Sequence, residues 1–332
     1  MGEAEIVEVS GREVRVTSPE KVVFPGPGIT KLDLVRYYLS VGEGAVRGAR
    51  DRPVILHRYP HGVEGDDFYQ KRVQKGNAHW LRTARITFPS GRTAEELVLA
   101  DEGHLAWMVN LGCIDINPWP VRADDLDHPD ELRVDLDPTP GIPFGHVREV
   151  ALLAREVLEE HGLTGYAKTS GKRGIHVLVR IEPRRSFTGV RRAALALARE
   201  VERRDPRATT AWWKEERTGV FVDYNQNARD RTVASAYSVR PVADARVSAP
   251  LAWDEVADVE PEELTIATVP DRYRKIGDPH APIDELHGSL EQLLELAQRD
   301  EREGLGDAPW PPHFPKGDDE PTRAAPSRRK RS

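Results

Sequence analysis

Two aspartates, Asp135 and Asp137, lie two positions apart at the end of an apolar run. Pro138 follows them directly. Successive side chains of a β-strand point to opposite faces, so these carboxylates would share one face, roughly 6.5 Å apart along the strand. Neighbouring carboxylates repel each other unless a cation neutralises them, and Mg²⁺ or Mn²⁺, which prefer oxygen ligands, suit such a pair. The spacing therefore indicates either a divalent-metal site or a solvated strand end, and the rest of the sequence decides between them.

A basic loop with glycines at both ends of its charged pair carries the groups needed to hold phosphate. Ser170 supplies a hydroxyl, Lys172 and Arg173 supply positive charge, and the glycines leave backbone N–H groups accessible. His176 follows at the start of a predicted strand, where its ring can donate to a phosphate oxygen. The loop therefore predicts a triphosphate cradle.

A third carboxylate, Asp223, comes late in a further predicted strand. If that strand joins the sheet of the aspartate pair, three carboxylates meet, and three carboxylates can hold two divalent ions. Two such ions promote in-line phosphoryl displacement, the chemistry of polymerases and nucleases. Lys214, Arg217 and Arg240 would then add positive charge around a nucleotide. Each of these three is otherwise an ordinary exposed base.

Two further groups of residues suit a nucleic-acid partner. Lys21 and Lys31 flank a Pro/Gly-rich turn, and Thr30 is a predicted N-cap; lysines beside a helix N-terminus can bind an anion, or can simply be solvated. Phe68 and Tyr69 stand beside basic residues and can form a base-stacking platform, or belong to the core.

The charge of the chain is segregated along its 332 residues, although the net charge is −7. Residues 165–192 contain eight Lys or Arg and one acidic residue, whereas residues 251–307 contain sixteen Asp or Glu and five Lys or Arg. The first stretch is a candidate phosphate-binding surface and the second a predicted solvated acidic flank. The one cysteine, Cys113, excludes an internal disulfide and is expected to be buried. Since no apolar run reaches 18 residues and no signal sequence is recognisable, we expect a cytoplasmic protein without a membrane partner.

Hydrophobic periodicity predicts the elements that position these residues. The predicted strands and helices are a hairpin over 6–16, a helix after residue 30, a strand at 54–59, a helix over 94–111, strands at 113–118 and 131–137, a helix over 145–160, a strand pair that brackets residues 169–176 with its second strand at 175–181, a helix over 188–203, and strands at 219–224 and 232–239. This order predicts an α+β fold whose mixed sheet has helices on one face, like the RNA-recognition architecture, after an N-terminal α/β module. The expected divisions are an N-terminal module (1–120), a catalytic module (121–300) and a disordered, Pro-rich, basic-ended tail (301–332).

Three ordered motifs carry a resemblance: Asp135-Leu-Asp137, then residues 170–176, then residues 222–227 followed by 235–240. With them the sequence resembles the archaeo-eukaryotic primase superfamily, and within it the polymerase domain of bacterial ligase D, including stand-alone actinobacterial relatives. The resemblance implies a primase-polymerase fold and template-directed nucleotide addition with two Mn²⁺ or Mg²⁺ ions. It also implies a primer-template or gapped DNA with a 5′-phosphate as partner, NTP or dNTP as substrate, and gap filling at nucleoid DNA beside Ku and a separate ligase.

The resemblance assigns a role to each candidate residue by its position. The implied metal ligands are Asp135, Asp137 and Asp223; the implied nucleotide-binding residues are Ser170, Lys172, Arg173, His176, Lys214, Arg217, Gln226 and Arg240; the implied 5′-phosphate residues are Lys21 and Lys31; and the implied template-stacking pair is Phe68 and Tyr69. Asn117 stands where the ligase D domain often has histidine. No Lys-x-Asp-Gly motif occurs, so a ligase module is not expected within these residues.

Two alternatives come from other classes of protein. Asp135 and Thr139 also fit the Asp-x-Asp-x-Thr motif of haloacid-dehalogenase-like phosphatases, which place it on an early strand of a parallel sheet. A non-catalytic nucleic-acid-binding module on an RNA-recognition-like sheet is the second alternative, although such sheets carry aromatic residues where this one carries aspartates.

Overall fold

Two five-stranded β-sheets form the framework of the molecule, which we describe from a computed structural model covering residues 4–74, 79–88, 91–312 and 314. The strands are β1 (Glu5–Val9), β2 (Arg12–Val16), β3 (Val22–Phe24), β4 (Ile29–Thr30), β5 (Pro53–Arg58), β6 (Phe68–Gln70), β7 (Arg82–Thr87), β8 (Thr93–Val98), β9 (Cys113–Pro118), β10 (Glu131–Pro138), β11 (Gly165–Thr169), β12 (Ile175–Arg180), β13 (Ala208–Thr209), β14 (Val220–Val222), β15 (Ser238–Val239) and β16 (Val247–Ser248). The α-helices are α1 (Lys31–Ser40), α2 (Gly42–Ala49), α3 (Glu102–Asn110), α4 (Phe144–Glu160), α5 (Phe187–Arg204), α6 (Val269–Ile276) and α7 (Glu291–Arg302).

The N-terminal part combines a hairpin, three helices and the first five-stranded sheet. The predicted hairpin is confirmed as β1 and β2, which join through Ser10 and Gly11, both with positive φ. Thr30 caps α1 as predicted, because its hydroxyl accepts from the Asp33 backbone and the Asp33 carboxylate accepts from Thr30 in return. In the first sheet β5 pairs with β6, β8 and β9, and β7 pairs with β8.

The predicted helix over residues 94–111 is wrong in its first part. Residues Thr93–Val98 form β8, which runs antiparallel to β7 over six residue pairs. The helix begins only at Glu102, after Asp101, whose carboxylate accepts a hydrogen bond from the His104 backbone as an N-cap. A short apolar run fits a strand as well as a helix, and here pairing with a distant strand decides the outcome.

The second sheet has the order β11-β12-β10-β14-β13, with β10 at its centre. Strand β10 is antiparallel to both β12 and β14, while β13 is parallel to β14. Leu132, Val134 and Leu136 enter the core on the face that α4 and α5 cover. The predicted mixed sheet with helices on one face is therefore confirmed, and Asp135 and Asp137 lie on its opposite face.

The last predicted strand, residues 232–239, is much shorter than expected. Only Ser238 and Val239 are extended, and they pair with β16 in a separate two-stranded sheet. Tyr237 adopts a left-handed backbone conformation with φ of 61°, which interrupts the strand on its N-terminal side.

The start of β10 is fixed by a buried ion network. Arg52 donates from both terminal nitrogens to the Asp130 carboxylate, at 2.6 and 2.9 Å, and Glu131 accepts from Arg133 at 2.7 Å and from Arg180. Burial alone would raise the pKa of Glu131, but the surrounding arginines lower it well below its ordinary value. Because removing one partner would leave buried charge uncompensated, this network holds β10 in register.

None of the helices in the described part of the chain combines the length and the apolar character needed to cross a membrane.

Candidate active site

The sheet brings the three candidate aspartates to one place. Asp135 lies buried on β10, and Asp137 lies two residues further on the same strand. Leu136 is the register partner of Val222, so Asp223 follows directly after β14 beside the end of β10. The Asp223 backbone N–H donates to the carbonyl of Asp135 at 2.8 Å, which continues the strand pairing by one bond. Two neighbouring strand ends therefore carry all three carboxylates.

The pKa values of the three carboxyl groups show that their charges interact. Burial raises the pKa of Asp135 to about 6. The negative charge of Asp135, followed by burial, raises the pKa of Asp137 to about 6. Burial, followed by the charges of Asp135 and Asp137, raises the pKa of Asp223 to about 7. Excess negative charge at one point of a protein is the condition that a divalent cation relieves.

The three aspartates supply the carboxylate oxygens that a divalent cation prefers, although their side chains do not converge on one point. Asp135 Oδ1 is buried and accepts no well-aligned hydrogen bond, which leaves it able to take a ligand. Within residues 4–74, 79–88, 91–312 and 314, however, no three His, Cys, Asp or Glu side chains are arranged to hold an ion as they stand. Mutual repulsion favours separation of uncompensated carboxylates, so metal binding would require these side chains to reorient.

His176 faces Asp135 across the sheet and is supported by a buried lysine. The two are register partners, and His176 Nε2 lies 3.2 Å from Asp135 Oδ1. On the other side of the ring, Lys168 Nζ lies 2.7 Å from His176 Nδ1 and 2.7 Å from Ser248 Oγ. Burial, followed by the charge of Arg240, lowers the pKa of Lys168 well below its ordinary value. While Lys168 is protonated it only donates, so Nδ1 is then the acceptor and Nε2 carries the proton that faces the site. Burial, and then the charge of Lys168, lowers the pKa of His176 well below its ordinary value, which keeps the ring neutral.

The loop over residues 170–174 is held by its own hydroxyl and by the close approach of β10. Ser170 Oγ accepts from the backbone N–H groups of Lys172 and Gly174, at 3.2 and 3.0 Å. A Cβ at Gly174 would collide with the carbonyl oxygen of Leu136, so only glycine fits there. The side chains of Lys172 and Arg173 are exposed beside the aspartates.

The other implied nucleotide residues differ in how closely they approach the aspartates. Gln226 Nε2 donates to Asp223 Oδ2 at 3.2 Å, and the charge of Arg217 reaches Asp223 and Asp137 while its guanidinium packs over Phe221. Arg240 lies against the loop, because a Cβ at Gly171 would collide with its side chain. Lys214 is exposed in the segment that precedes β14.

A second site forms around the two N-terminal lysines. Lys21, Lys31 and Arg58 line one pocket, and of the described residues that line it none is acidic. Lys31 is buried and donates to the carbonyls of Thr17 and Asn110, at 2.6 and 3.3 Å. Burial, followed by the charges of Lys21 and Arg58, lowers its pKa. Three cations without a carboxylate make this pocket suited to an anion.

The predicted stacking pair lies on the short strand β6 with both rings exposed, Phe68 by 45% and Tyr69 by 62%. Tyr69 stacks on His57, with ring centroids 4.1 Å apart and an interplanar angle of 14°. His57 is held in turn by Asp115, 3.2 Å from its Nδ1, and Arg58 lies over Phe68. The exposed rings therefore rest on a fixed polar support.

Three contributors to these sites were absent from the sequence interpretation. Lys168 is the register partner of His176 in the predicted strand pair around this loop, and fixing the register of that pair would have found it. Arg58 and His57 lie at the end of a strand that was predicted to be buried. Hydrophobic periodicity does not predict that their side chains contact residues of other strands and loops.

Comparisons with known proteins decide the family. Residues 30–280 match the family model described as LigD, primase-polymerase domain. This chain belongs to that family. The LigD protein of Mycolicibacterium smegmatis, a multifunctional non-homologous end joining protein, is 34% identical over 82% of this chain and 36% of its own length. The LigD protein of Pseudomonas aeruginosa is 30% identical over 86% of this chain and 34% of its own length.

A solved LigD structure supports the same assignment. The polymerase domain of Mycobacterium tuberculosis ligase D, solved in complex with DNA, matches with a TM-score of 0.78 and 28% identity, over 82% of this chain and 98% of that domain. The predicted primase-polymerase fold is thereby confirmed. This chain spans about a third of the length of the two LigD proteins above.

Proposed function

We propose that this chain is a metal-dependent, template-directed nucleotidyltransferase that adds nucleotides to a DNA primer. The observation that carries the proposal is the meeting of Asp135, Asp137 and Asp223 at two strand ends beside the basic loop 170–174. Membership of the LigD primase-polymerase family supports it, as does the likeness to a LigD polymerase domain solved with DNA.

In this proposal the three aspartates hold two Mn²⁺ or Mg²⁺ ions. Bound ions supply activation of the attacking oxygen and stabilisation of the leaving oxygen during displacement. Asp135, Asp137 and Asp223 provide the oxyanions, and Gln226 orients one Asp223 oxygen through the bond described above. The raised pKa values mean that binding of the ions releases protons near neutral pH.

The chain's own groups then bind and orient the triphosphate. Nε2 of His176 donates to a phosphate oxygen, since Lys168 occupies the other ring nitrogen. Lys172, Arg173, Arg217 and Arg240 offset the phosphate charge. The exposed pair on β6 stacks on template bases, the role for which base–aromatic contact is suited.

Primer extension tests this proposal directly. Labelled nucleotides, a primer-template and Mn²⁺ or Mg²⁺ should give template-dependent products, and chelation should stop the reaction. A protein that binds DNA without extending it would favour the non-catalytic module. Release of phosphate from monoesters would favour the dehalogenase-like phosphatase, although β10 lies between two antiparallel neighbours instead of in a parallel sheet.

We further infer that the substrate is a gapped duplex in end-joining repair at nucleoid DNA in the cytoplasm. The pocket of Lys21, Lys31 and Arg58 supports this, because a terminal 5′-phosphate carries more charge than an internal phosphate. The LigD relatives are non-homologous end joining proteins, which supports the same pathway. Ku and a separate ligase would then be its partners.

A further inference from the structure

The chain segment after α7 folds back onto α5 and reaches the turn that begins with Asp223. We name residues 304–312 the C-terminal strap. The ring of Trp310 lies 3.9 Å from the guanidinium of Arg191 on α5. Residues 304–312 belong to the predicted disordered tail, but they contact α5. Residues 315–332 of that tail lie outside the described residues. The strap also lies beyond residue 280, where the family match ends.

Arg191 is the centre of this contact and is only 1% exposed. Its Nη1 donates to Asp307 Oδ1 at 2.7 Å, and its Nη2 donates to the carbonyl of Ala308 at 2.7 Å. Its Nε donates to Asn225 Oδ1 at 2.7 Å. The guanidinium is a rigid fork with five donors, so one side chain joins the strap on one side to Asn225 on the other.

Asn225 connects this contact to the candidate metal ligand. Its backbone N–H donates to Asp223 Oδ1 at 2.9 Å, and its side-chain amide donates to the carbonyl of Pro309 in the strap at 3.0 Å. The second oxygen of Asp223 accepts from Gln226. Asn227 closes the turn by exchanging two hydrogen bonds, of 2.9 and 2.8 Å, with the backbone of β10. The turn is thus held by β10 on one side and by the strap on the other.

We propose that Arg191, Asn225 and the C-terminal strap position Asp223 for its role at the candidate metal site. Arg191 is a positioning residue, since it acts on Asp223 through Asn225 and does not touch it. The assignment of a metal-binding role to Asp223 rests on the proposed function. Groups that orient a metal ligand typically change metal affinity by about 10- to 100-fold when they are removed.

The experiment compares a double variant of the strap, Asp307→Ala with Trp310→Ala, with a matched control, Arg192→Ala. Asp307 is an exposed side chain and Trp310 is half-buried, so the double variant should fold. Arg192 neighbours Arg191 on α5 and also ties this helix to the C-terminal region, through a bidentate pair with Glu301 at 2.8 Å. Hydrogen exchange of the metal-free full chain is read at residues 223–228, and Mn²⁺ affinity is titrated separately.

We expect residues 223–228 to exchange faster in the double variant and at the wild-type rate in Arg192→Ala. Mn²⁺ affinity should fall by about 10-fold in the double variant alone. Equal exchange rates at these residues in all three proteins would overturn the proposal, even if the double variant melts at a lower temperature. A wild type that binds no Mn²⁺ would refute the proposed function instead, and exchange in the metal-free protein would then decide the inference about the strap alone.

Discussion

Asp135, Asp137 and Asp223 have raised pKa values because burial and mutual repulsion both oppose their ionisation. The fold therefore holds three like charges in an arrangement that costs stability when no cation is present. A bound cation, as in the proposed function, would offset that cost.

Asp137→Asn removes one of these charges and keeps the size of the side chain. We expect the variant to lose primer extension, because a ligand oxyanion is missing, while the melting temperature of the metal-free protein stays the same or rises. Mn²⁺ should raise the melting temperature of the wild type but not of the variant. Asp127→Asn, at an exposed position, is the control and should behave as wild type. Extension by Asp137→Asn at the wild-type rate would show that Asp137 does not hold a metal ion.

Glu96 is a buried carboxyl group remote from these aspartates in sequence, and it makes stability depend on pH. Its Oε2 accepts from Trp119 Nε1 at 2.9 Å, its Oε1 is buried without a partner, and burial raises its pKa to about 7. Because the folded pKa is above the unfolded value, the folded state binds more protons, and stability falls as pH rises from about 4.5 to about 7.

Glu96→Gln should therefore be nearly neutral at pH 4.5 and stabilising at pH 8. The difference between the two pH values should be at most roughly 3 kcal/mol, the equivalent of the pKa shift. Denaturant unfolding at both pH values measures it. Glu95→Gln, whose side chain is exposed next to it on β8, is the control. A constant effect of Glu96→Gln across this range would contradict a raised pKa.

At the scale of elements, the sequence predicts best where one face of the element is uniformly apolar. Helix α4 has such a face, with Val147, Val150 and Val157 fully buried, and its predicted bounds agree with the structure within one residue. Strand β8 has no such signal. Its identity depends on pairing with β7 and on the Glu96–Trp119 bond, and both come from other parts of the chain.

The same limit applies to the candidate site. Residues whose chemistry is local, such as Asp135 and Ser170, stand out by type and spacing. Lys168 and Arg191 do not, because a lysine within a strand and an arginine on a helix look like exposed bases until the tertiary structure buries them. The motifs thus show where chemistry can occur, whereas the groups that orient those motifs come from contacts between elements.

Gly174→Ala tests the close approach of the basic loop to β10. The added Cβ collides with the Leu136 carbonyl oxygen and lies 3.3 Å from Asp137 Oδ1, so the loop must move away. We expect a destabilisation of roughly 1–3 kcal/mol, as for overpacking, and a higher KM for nucleotide. Thermal unfolding and the dependence of extension on nucleotide concentration measure the two effects.

Gly145→Ala is the matched control for this substitution. In the first turn of α4 the new Cβ meets only the Arg148 side chain, at an ordinary 3.6 Å. It should leave KM unchanged and stability equal or slightly higher. If both variants have the wild-type KM, residues 170–174 do not hold the triphosphate.

At the scale of the whole molecule, charges that are segregated along the chain meet in space. Four residues of the acidic flank are exposed, as predicted, and also pair with arginines of the basic stretch: Asp284 with Arg180, Glu291 with Arg185, Glu301 with Arg192 and Asp307 with Arg191. Half of the basic stretch is therefore neutralised within the fold. Lys172 and Arg173 remain exposed near the aspartates. Exposed positive charge thus remains on the loop beside the aspartates, which net charge alone does not reveal.

The pocket of Lys21, Lys31 and Arg58 lies in the N-terminal part of the chain, so the proposed role in DNA binding would be separable from chemistry. We expect a gapped duplex with a downstream 5′-phosphate to bind more tightly than one with a 5′-hydroxyl, by roughly 1–3 kcal/mol. The preference should shrink as salt rises. It should also shrink in Lys21→Gln, which leaves the buried Lys31 and its two carbonyl partners in place.

Binding titrations with the two duplexes at several salt concentrations give the measurement. Lys275→Gln, an exposed lysine on α6, is the control and should keep the full preference. Extension of a simple primer-template should survive in Lys21→Gln. Equal affinity of the wild type for both duplexes would remove the gap-filling role and leave the polymerase proposal intact.

Cys113, the one cysteine of the chain, lies buried on β9, and burial raises the pKa of its thiol. Thiol-reactive dyes attack the thiolate at accessible positions, so the native protein should remain unlabelled under mild conditions. A cysteine introduced at the exposed Glu295 of α7 would then be the single point of attachment for a fluorophore. The fold thereby permits single-molecule fluorescence on the otherwise native sequence, without first deleting a cysteine from its core.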